Sequence, residues 1–409
     1  MPKFQPPKGT RDFMPAEMFR RRQIFDKTRQ VLDKYGYGEV CTPAFEDLEL
    51  LTKKSGPDLE KEIYVFEDKS GRKLGLRFDL TVPICRIVSS DSSIPKPIKL
   101  YFIGNMWRYD QPQAGRWREF WQIDVELIGS NRPEADAEIL SVVSDILKTI
   151  GIKKFYFRIN SRKIVEALVK QSGIPENKKF DAFRAIDKLS KIGEKEVKKE
   201  MERYGISASS AEKLLQSLRS EKVSDSELNE LKEIKKTAEE LGVDNIKIDF
   251  SIVRGIDYYT GFVFETFVDG FENLGSVASG GRYDSLIGLY GGDNIPATGV
   301  GIGIDRLLEV VKENEEYYPV KIFFAVADNE VRAEVLKLVQ ELRKSGISVD
   351  TDIMGRDLRK QLSYANSMKI SYVIVVGNKE LKSKKFKLKD MKTGKEQELS
   401  ISEISRKLL

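Results

Sequence analysis

Residues 118–128, REFWQIDVELI, alternate without a break. A β-strand sends successive side chains to opposite faces. One face of this run therefore carries Arg118, Phe120, Gln122, Asp124 and Glu126, and the other carries Trp121, Ile123, Val125 and Leu127. The second set is a core face. The first combines a cation, a ring, an amide and two carboxylates, and is not. Such a strand requires a sheet that is packed on one side and open on the other. Pattern alone fits a ligand-facing surface and a solvated one equally well.

The surrounding chain supplies the rest of that sheet. Residues 16–36 have helical period, with Met18, Phe19, Phe25, Val31, Leu32 and Tyr35 roughly on one face. Gly36 and Gly38 stop the helix, and 39–42 read as a strand ending at Pro43. Residues 64–67 and 73–77 read as a hairpin around Ser70-Gly71, and 98–103 as the strand before the loop 108–117. A helix is expected over 134–150. Residues 1–160 thus read as the first part of an α+β domain built on a mostly antiparallel sheet. Residues 161–245 are Lys/Glu/Ser-rich, poor in aromatics and helical in period, which marks a helical insertion. Strand character returns over 246–316 in IKIDFSIVRG, FVFETFV and SVASGG. Residues 320–409 alternate strand and helix and close with a hairpin at 386–399. That order predicts a separate α/β domain with a mainly parallel sheet.

Composition narrows the chemistry. The 409 residues include no histidine, which excludes nucleophile systems that use imidazole as base, and His-ligated zinc. The two cysteines, Cys41 and Cys85, cannot complete a four-ligand zinc site. With no disulfide framework, no apolar run near membrane-spanning length and no apolar stretch in MPKFQPPKGTRDF, a cytoplasmic protein without a signal peptide or membrane partner is expected. The net charge of +5 is uneven: residues 320–409 hold 19 Lys+Arg against 12 Asp+Glu. A basic tail on a near-neutral body fits either a bound polyanion or a solvated Lys-rich surface.

Two further stretches stand out. In IVRGIDYYTGFVFE, 252–265, Gly255 and Gly261 allow close approach of backbone or ligand; a bulged aromatic core strand fits equally well. In 279–307, Gly299, Gly301 and Gly303 form G-x-G-x-G. This lacks the spacing of a dinucleotide fingerprint and suits a glycine strand packed closely on a neighbour. Many arginines, several carboxylates and no nucleophile suit phosphate chemistry run by positioning and charge stabilisation.

These stretches, in this order, resemble class II aminoacyl-tRNA synthetases. The unit 16–43 is similar to their motif 1, the Arg108 loop with the Phe120 strand to motif 2, and GVGIGIDRL to motif 3. RGIDYYTGFVFE, SGGRYDSLIG, PPKGTRDF and LRFDLTVP resemble histidyl-tRNA synthetases in particular, the LRFDLT form being similar to archaeal and eukaryotic members. The tail, with LRKSGISVD, LRKQLSYAN and YVIVVGNKE, is similar to the anticodon-binding domain shared by the His, Pro, Thr and Gly enzymes.

The resemblance implies a ligase that activates L-histidine with ATP and transfers it to the 3′ end of tRNA(His). It places Asp79, Thr81 and Gln122, with Leu80 between them, around the α-amino group. It places Glu126 and Tyr259, with Tyr258 close by, at the imidazole. Arg108 and Arg254 would meet the α-phosphate from its two sides as the catalytic pair, and both would count among the histidine-binding residues. Phe120 and Arg306 would sandwich adenine, and Arg116 and Arg306 would face the triphosphate. Mg²⁺ is implied on the ATP phosphates, with no protein metal ligand assigned. The loop 111–115 would meet the tRNA acceptor end and residues 320–409 the anticodon. Motif 1 implies a homodimer. One departure is Asp110, where the family usually has Glu two residues after the motif 2 arginine. A non-catalytic relative, the regulatory subunit of the first enzyme of histidine biosynthesis, lacks the tail domain and erodes RGIDYYTG; this chain keeps both.

Overall fold

Pro15 opens the first long helix, Pro15–Lys34, at a position where its missing N–H leaves no bond unmade. The helix buries Ile24, Phe25, Val31 and Leu32 and ends before Gly36, whose φ of +75° reverses the chain. The computed structural model describes residues 4–53, 60–111, 116–220, 223, 225–253, 258–311 and 320–409. The chain divides into two units, 1–312 and 313–409.

The first unit contains strands β1 (Gly38–Glu39), β2 (Phe45–Asp47), β3 (Val65–Glu67), β4 (Lys73–Leu76), β5 (Ile98–Trp107), β6 (Glu119–Ile128), β7 (Phe155–Ser161), β8 (Ile246–Ile248), β9 (Phe262–Val268), β10 (Ala278–Arg282) and β11 (Ala297–Gly303). Eight form one sheet in the order β1-β5-β6-β11-β10-β9-β7-β8, and β2-β4-β3 form a small second sheet. The large sheet is mixed, which corrects the expected mostly antiparallel one. Its centre is antiparallel, but β1 pairs parallel with β5 and β8 parallel with β7 at the two edges. A parallel neighbour requires a long crossover. The chain supplies one at each edge: the second sheet with the helix Thr81–Ser90 before β5, and the helical segment between β7 and β8. Of the described residues in IKIDFSIVRG only Ile246–Ile248 form a strand, because Asp249 turns the chain by accepting hydrogen bonds from the Ser251 amide (2.9 Å) and hydroxyl (2.6 Å).

The back of the sheet is covered by Pro15–Lys34, Pro133–Thr149 and Asp225–Glu240. Ile123, Val125 and Leu127 meet them in the main core. The front is covered over half its length. There Thr81–Ser90, Tyr258 and Tyr283 close a second core with Ile128, Phe102 and Ala297. Towards Phe120 the front face stays open, so a strand with two unlike faces becomes a cleft with one closed end.

The second unit has strands β12 (Ile322–Val326), β13 (Val349–Thr351), β14 (Tyr372–Val376), β15 (Phe386–Asp390) and β16 (Glu396–Leu399), in the order β13-β12-β14-β15-β16. The β13-β12-β14 pairings are parallel and the two involving β15 antiparallel, so this sheet is also mixed. The hairpin expected at 386–399 extends the sheet, with β15 pairing antiparallel to β14 and β16 forming the edge. Among the described residues no helix is long and apolar enough to cross a membrane.

Candidate active site

A cavity of roughly 1010 Å³ lies on the open front of the large sheet. Asp79, Thr81, Gln122, Glu126, Tyr258 and Tyr259 line it, and so do Arg108, Arg116, Phe120 and Arg306. Leu80 does not. It is fully buried in the second core, and its carbonyl accepts the first bond of Thr81–Ser90 from the Ile84 amide at 3.0 Å. Arg254 and residues 112–115 of the motif 2 loop lie outside the described residues.

The closed end is acidic. Glu126 is 1% exposed and accepts from Thr81 Oγ1 at 2.8 Å and from the Tyr283 hydroxyl. Burial raises its pKa well above the ordinary carboxylate range, and the neighbouring Asp124 and Asp79 push the same way. Burial also pushes Asp124 up to about 7 and Asp79 to about 6. Gln122 Nε2 donates to Asp124 Oδ1 at 2.7 Å, and the Val82 amide to Asp79 Oδ1 at 3.4 Å. The other oxygen of each aspartate, buried, has no hydrogen-bond partner among the described residues. Two orphaned carboxylate oxygens in one pocket call for a cation or a donor. Tyr258 packs on Tyr259 and Tyr283, with ring centroids 4.8 and 5.8 Å apart.

The glycines of β11 make room for this arrangement. Gly299, Gly301 and Gly303 stand opposite Glu126, Asp124 and Gln122 in the antiparallel register. A Cβ at Gly299 would lie 1.6 Å from Glu126 Oε2, and one at Gly301 would lie 2.2 Å from Gln122 Nε2. The polar side chains of β6 lie over a strip of bare backbone.

The open end is cationic. Arg108 Nε donates to the Phe78 carbonyl at 3.0 Å, and its guanidinium sits 5.2 Å from the Phe120 ring centroid. Arg116 pairs with Asp110 at 3.0 Å, so the shorter carboxylate still anchors the loop. Arg306 donates to the Ser276 carbonyl. Among the described residues no three His, Cys, Asp or Glu side chains converge to hold a metal ion.

Strand alternation placed Arg118 on the polar face with Phe120 and Gln122, but β6 begins after it. Arg118 is 9% exposed, donates from Nε to the Asp110 carbonyl at 3.1 Å and lies over Tyr109 at 3.9 Å. It secures the root of the loop. Reasoning also missed Tyr283, which holds Glu126, and Asp305. Asp305 accepts from Arg11 (2.8 Å), Arg21 (2.5 Å) and the Trp121 amide (3.2 Å). Both lie inside stretches that carry the family resemblance, SGGRYDSLIG and GVGIGIDRL, but no role was assigned to either.

Comparison with known proteins gives one consistent result. Residues 9–307 match the family model described as histidyl-tRNA synthetase, and 316–409 the one described as anticodon binding domain. The chain is 39% identical to a histidine–tRNA ligase of Methanocaldococcus jannaschii, over 98% of this chain and 99% of that one. It is 36% identical to that of Thermococcus kodakarensis, over 97% of each. The crystal structure of histidyl-tRNA synthetase from Nostoc sp. PCC 7120 superposes with a TM-score of 0.83 at 27% identity, covering 100% of this chain and 99% of that one. With a cleft that is acidic at one end and cationic at the other, and both family models matched along its length, this chain belongs to the histidyl-tRNA synthetase family.

Proposed function

We propose that the chain is a histidine–tRNA ligase that works as follows. L-Histidine enters the closed end and ATP the open end. A carboxylate oxygen of histidine attacks the α-phosphorus, the bond to the bridging oxygen breaks, and pyrophosphate leaves. A ribose hydroxyl at the 3′ end of tRNA(His) then attacks the acyl carbon of histidyl-adenylate, and AMP leaves. The observation that carries this reading is the buried set Glu126, Asp124 and Asp79, with two carboxylate oxygens that have no partner among the described residues, inside a pocket also walled by tyrosines.

The ammonium group of the substrate meets Asp79, Thr81 and Gln122, with Asp124 as a further acceptor. The imidazole nitrogens meet Glu126 and Tyr259, with Tyr258 alongside. A pocket that pairs both nitrogens rejects side chains lacking them, since its own buried groups would be left unpaired. Arg108 and Arg254 stabilise charge on the α-phosphate. Phe120 stacks on adenine, Arg306 covers its other face, and Arg116 faces the phosphate tail. Mg²⁺ would ride on the nucleotide's own phosphate oxygens, and no step is assigned to it.

Residues 1–160 and 246–316 make the catalytic domain in this reading, 161–245 the helical insertion and 320–409 the anticodon reader. Unstacked RNA bases suit such a basic α/β unit. The chain acts as a cytoplasmic homodimer through 16–43. ATP–pyrophosphate exchange against all twenty amino acids tests the core claim. Exchange with histidine alone is expected; exchange with proline or threonine in its place overturns the substrate, and none with any amino acid overturns the activity.

A further inference from the structure

Ahead of the first helix lies KGTRDF, residues 8–13, which the proposed reaction leaves without a role. Its contacts converge on the two elements that carry the open end of the cleft. The Gly9 carbonyl accepts from the Arg118 amide at 2.8 Å, while the Arg118 carbonyl accepts from the Arg108 amide at 2.9 Å. Residue 9 thus extends the ladder that closes the root of the motif 2 loop. Only glycine fits there: φ is +84°, and a Cβ would lie 2.7 Å from Arg118 Cγ. Two residues on, Arg11 reaches two places at once. Its guanidinium lies 4.4 Å from the Trp117 ring centroid, next to Arg116, and donates to Asp305, next to Arg306, at 2.8 Å. Phe13 fills in beneath, 4.8 Å from Arg11 and 3.9 Å from Arg21.

We propose that residues 9–13 form a strap that presets the ATP end of the cleft. Arg11 is its positioning residue, acting on Arg116 through Trp117 and on Arg306 through Asp305. The inference rests on the ATP-dependent reading above. Among the described residues, the strap contacts named above reach none of Glu126, Asp79 and Asp124, so losing Arg11 separates the two substrates.

The test is Arg11→Ala in the full chain. KM for ATP and for histidine are measured in pyrophosphate exchange, Kd for ATP alone by calorimetry, and the melting temperature alongside. The expected result is a ~tenfold rise in KM and Kd for ATP, from the loss of a stacked and paired guanidinium. KM for histidine should stay within about twofold, as expected for a site whose contacts are untouched. Unchanged ATP constants overturn the strap. Equal rises for both substrates with a matching fall in melting temperature also overturn it, by reducing Arg11 to general stability. If Arg11→Ala does not fold, Trp117→Leu must give the same ATP-selective defect or the proposal fails. ATP binding without histidine-dependent exchange in the unmodified chain would sink the proposed substrate, while the strap would still be judged by the ATP Kd.

Discussion

At its closed end the cleft is lined by Glu126, Asp124 and Asp79, each under a tenth exposed, and by phenols packed ring on ring. At its open end Arg116 keeps 43% of its side chain exposed, and Arg108 and Phe120 are half-buried. The same strand, β6, runs through both. The closed end is buried, so each polar group left unpaired there is costly, which favours sharp discrimination between ligands. The open end exposes its guanidiniums; in the proposed reading it takes phosphate with less geometric demand, and salt weakens such a contact.

The most severe test of this contrast is Glu126→Gln. The amide preserves volume but misdirects the bonds from Thr81 and Tyr283. A ~100-fold fall in kcat/KM for histidine is expected, the scale of about 3 kcal/mol for leaving buried partners unsatisfied. KM for ATP should barely move; if ATP suffers equally, the two ends are not independent. Next in size, Arg306→Ala should raise KM for ATP about tenfold through the lost cation–π contact and charge, with histidine unaffected. Tyr283→Phe removes one donor to Glu126 and should cost ~5–10-fold in kcat/KM for histidine, about 1–1.5 kcal/mol for one hydrogen bond.

The smallest effect is one of pH. Asp124 sits at about 7 and Asp79 at about 6 in the fold, against about 3.9 for a free aspartate. The fold therefore prefers both protonated. The stability they contribute is full below about pH 4 and is lost as pH rises through about 6 to 7. The unliganded protein should melt a few degrees lower at pH 8 than at pH 5.5, and Asp124→Asn should flatten that slope. An unchanged slope would place the titration elsewhere. Saturating histidine should recover more stability at the higher pH, because its ammonium suits ionised carboxylates.

Much of the closed end was legible from the sequence, because Gln122, Asp124 and Glu126 share a strand and period two puts them on one face. Arg118 failed the same reasoning, since alternation does not show where a strand begins; the Gly9 carbonyl and Asp110 capture it first. Tyr283 and Asp305 were not legible as site builders. Their partners lie 157 residues away for Glu126, and 294 and 284 away for Arg11 and Arg21. Local pattern carries no information over such separations. The glycines of β11 were visible as a pattern and were read correctly as close packing, but what they pack against is known only from the register with β6. The parallel sheet edges were missed because the crossovers were read as a hairpin region and an insertion, each without a consequence for the sheet.

The bare strip of β11 also bears on how this pocket can change. A binding site is usually enlarged by trimming a side chain, and beneath Glu126, Asp124 and Gln122 there is none to trim. Substitution at these three glycines can only subtract space, abruptly at Gly299 and gently at Gly303, where the nearest atom to an added Cβ is 3.8 Å away. Drift at these glycines is therefore a ratchet toward smaller ligands. Variants that admit bulkier histidine analogues should instead arise at Tyr258, Tyr259 or Tyr283, the side-chain walls that selection can cut back.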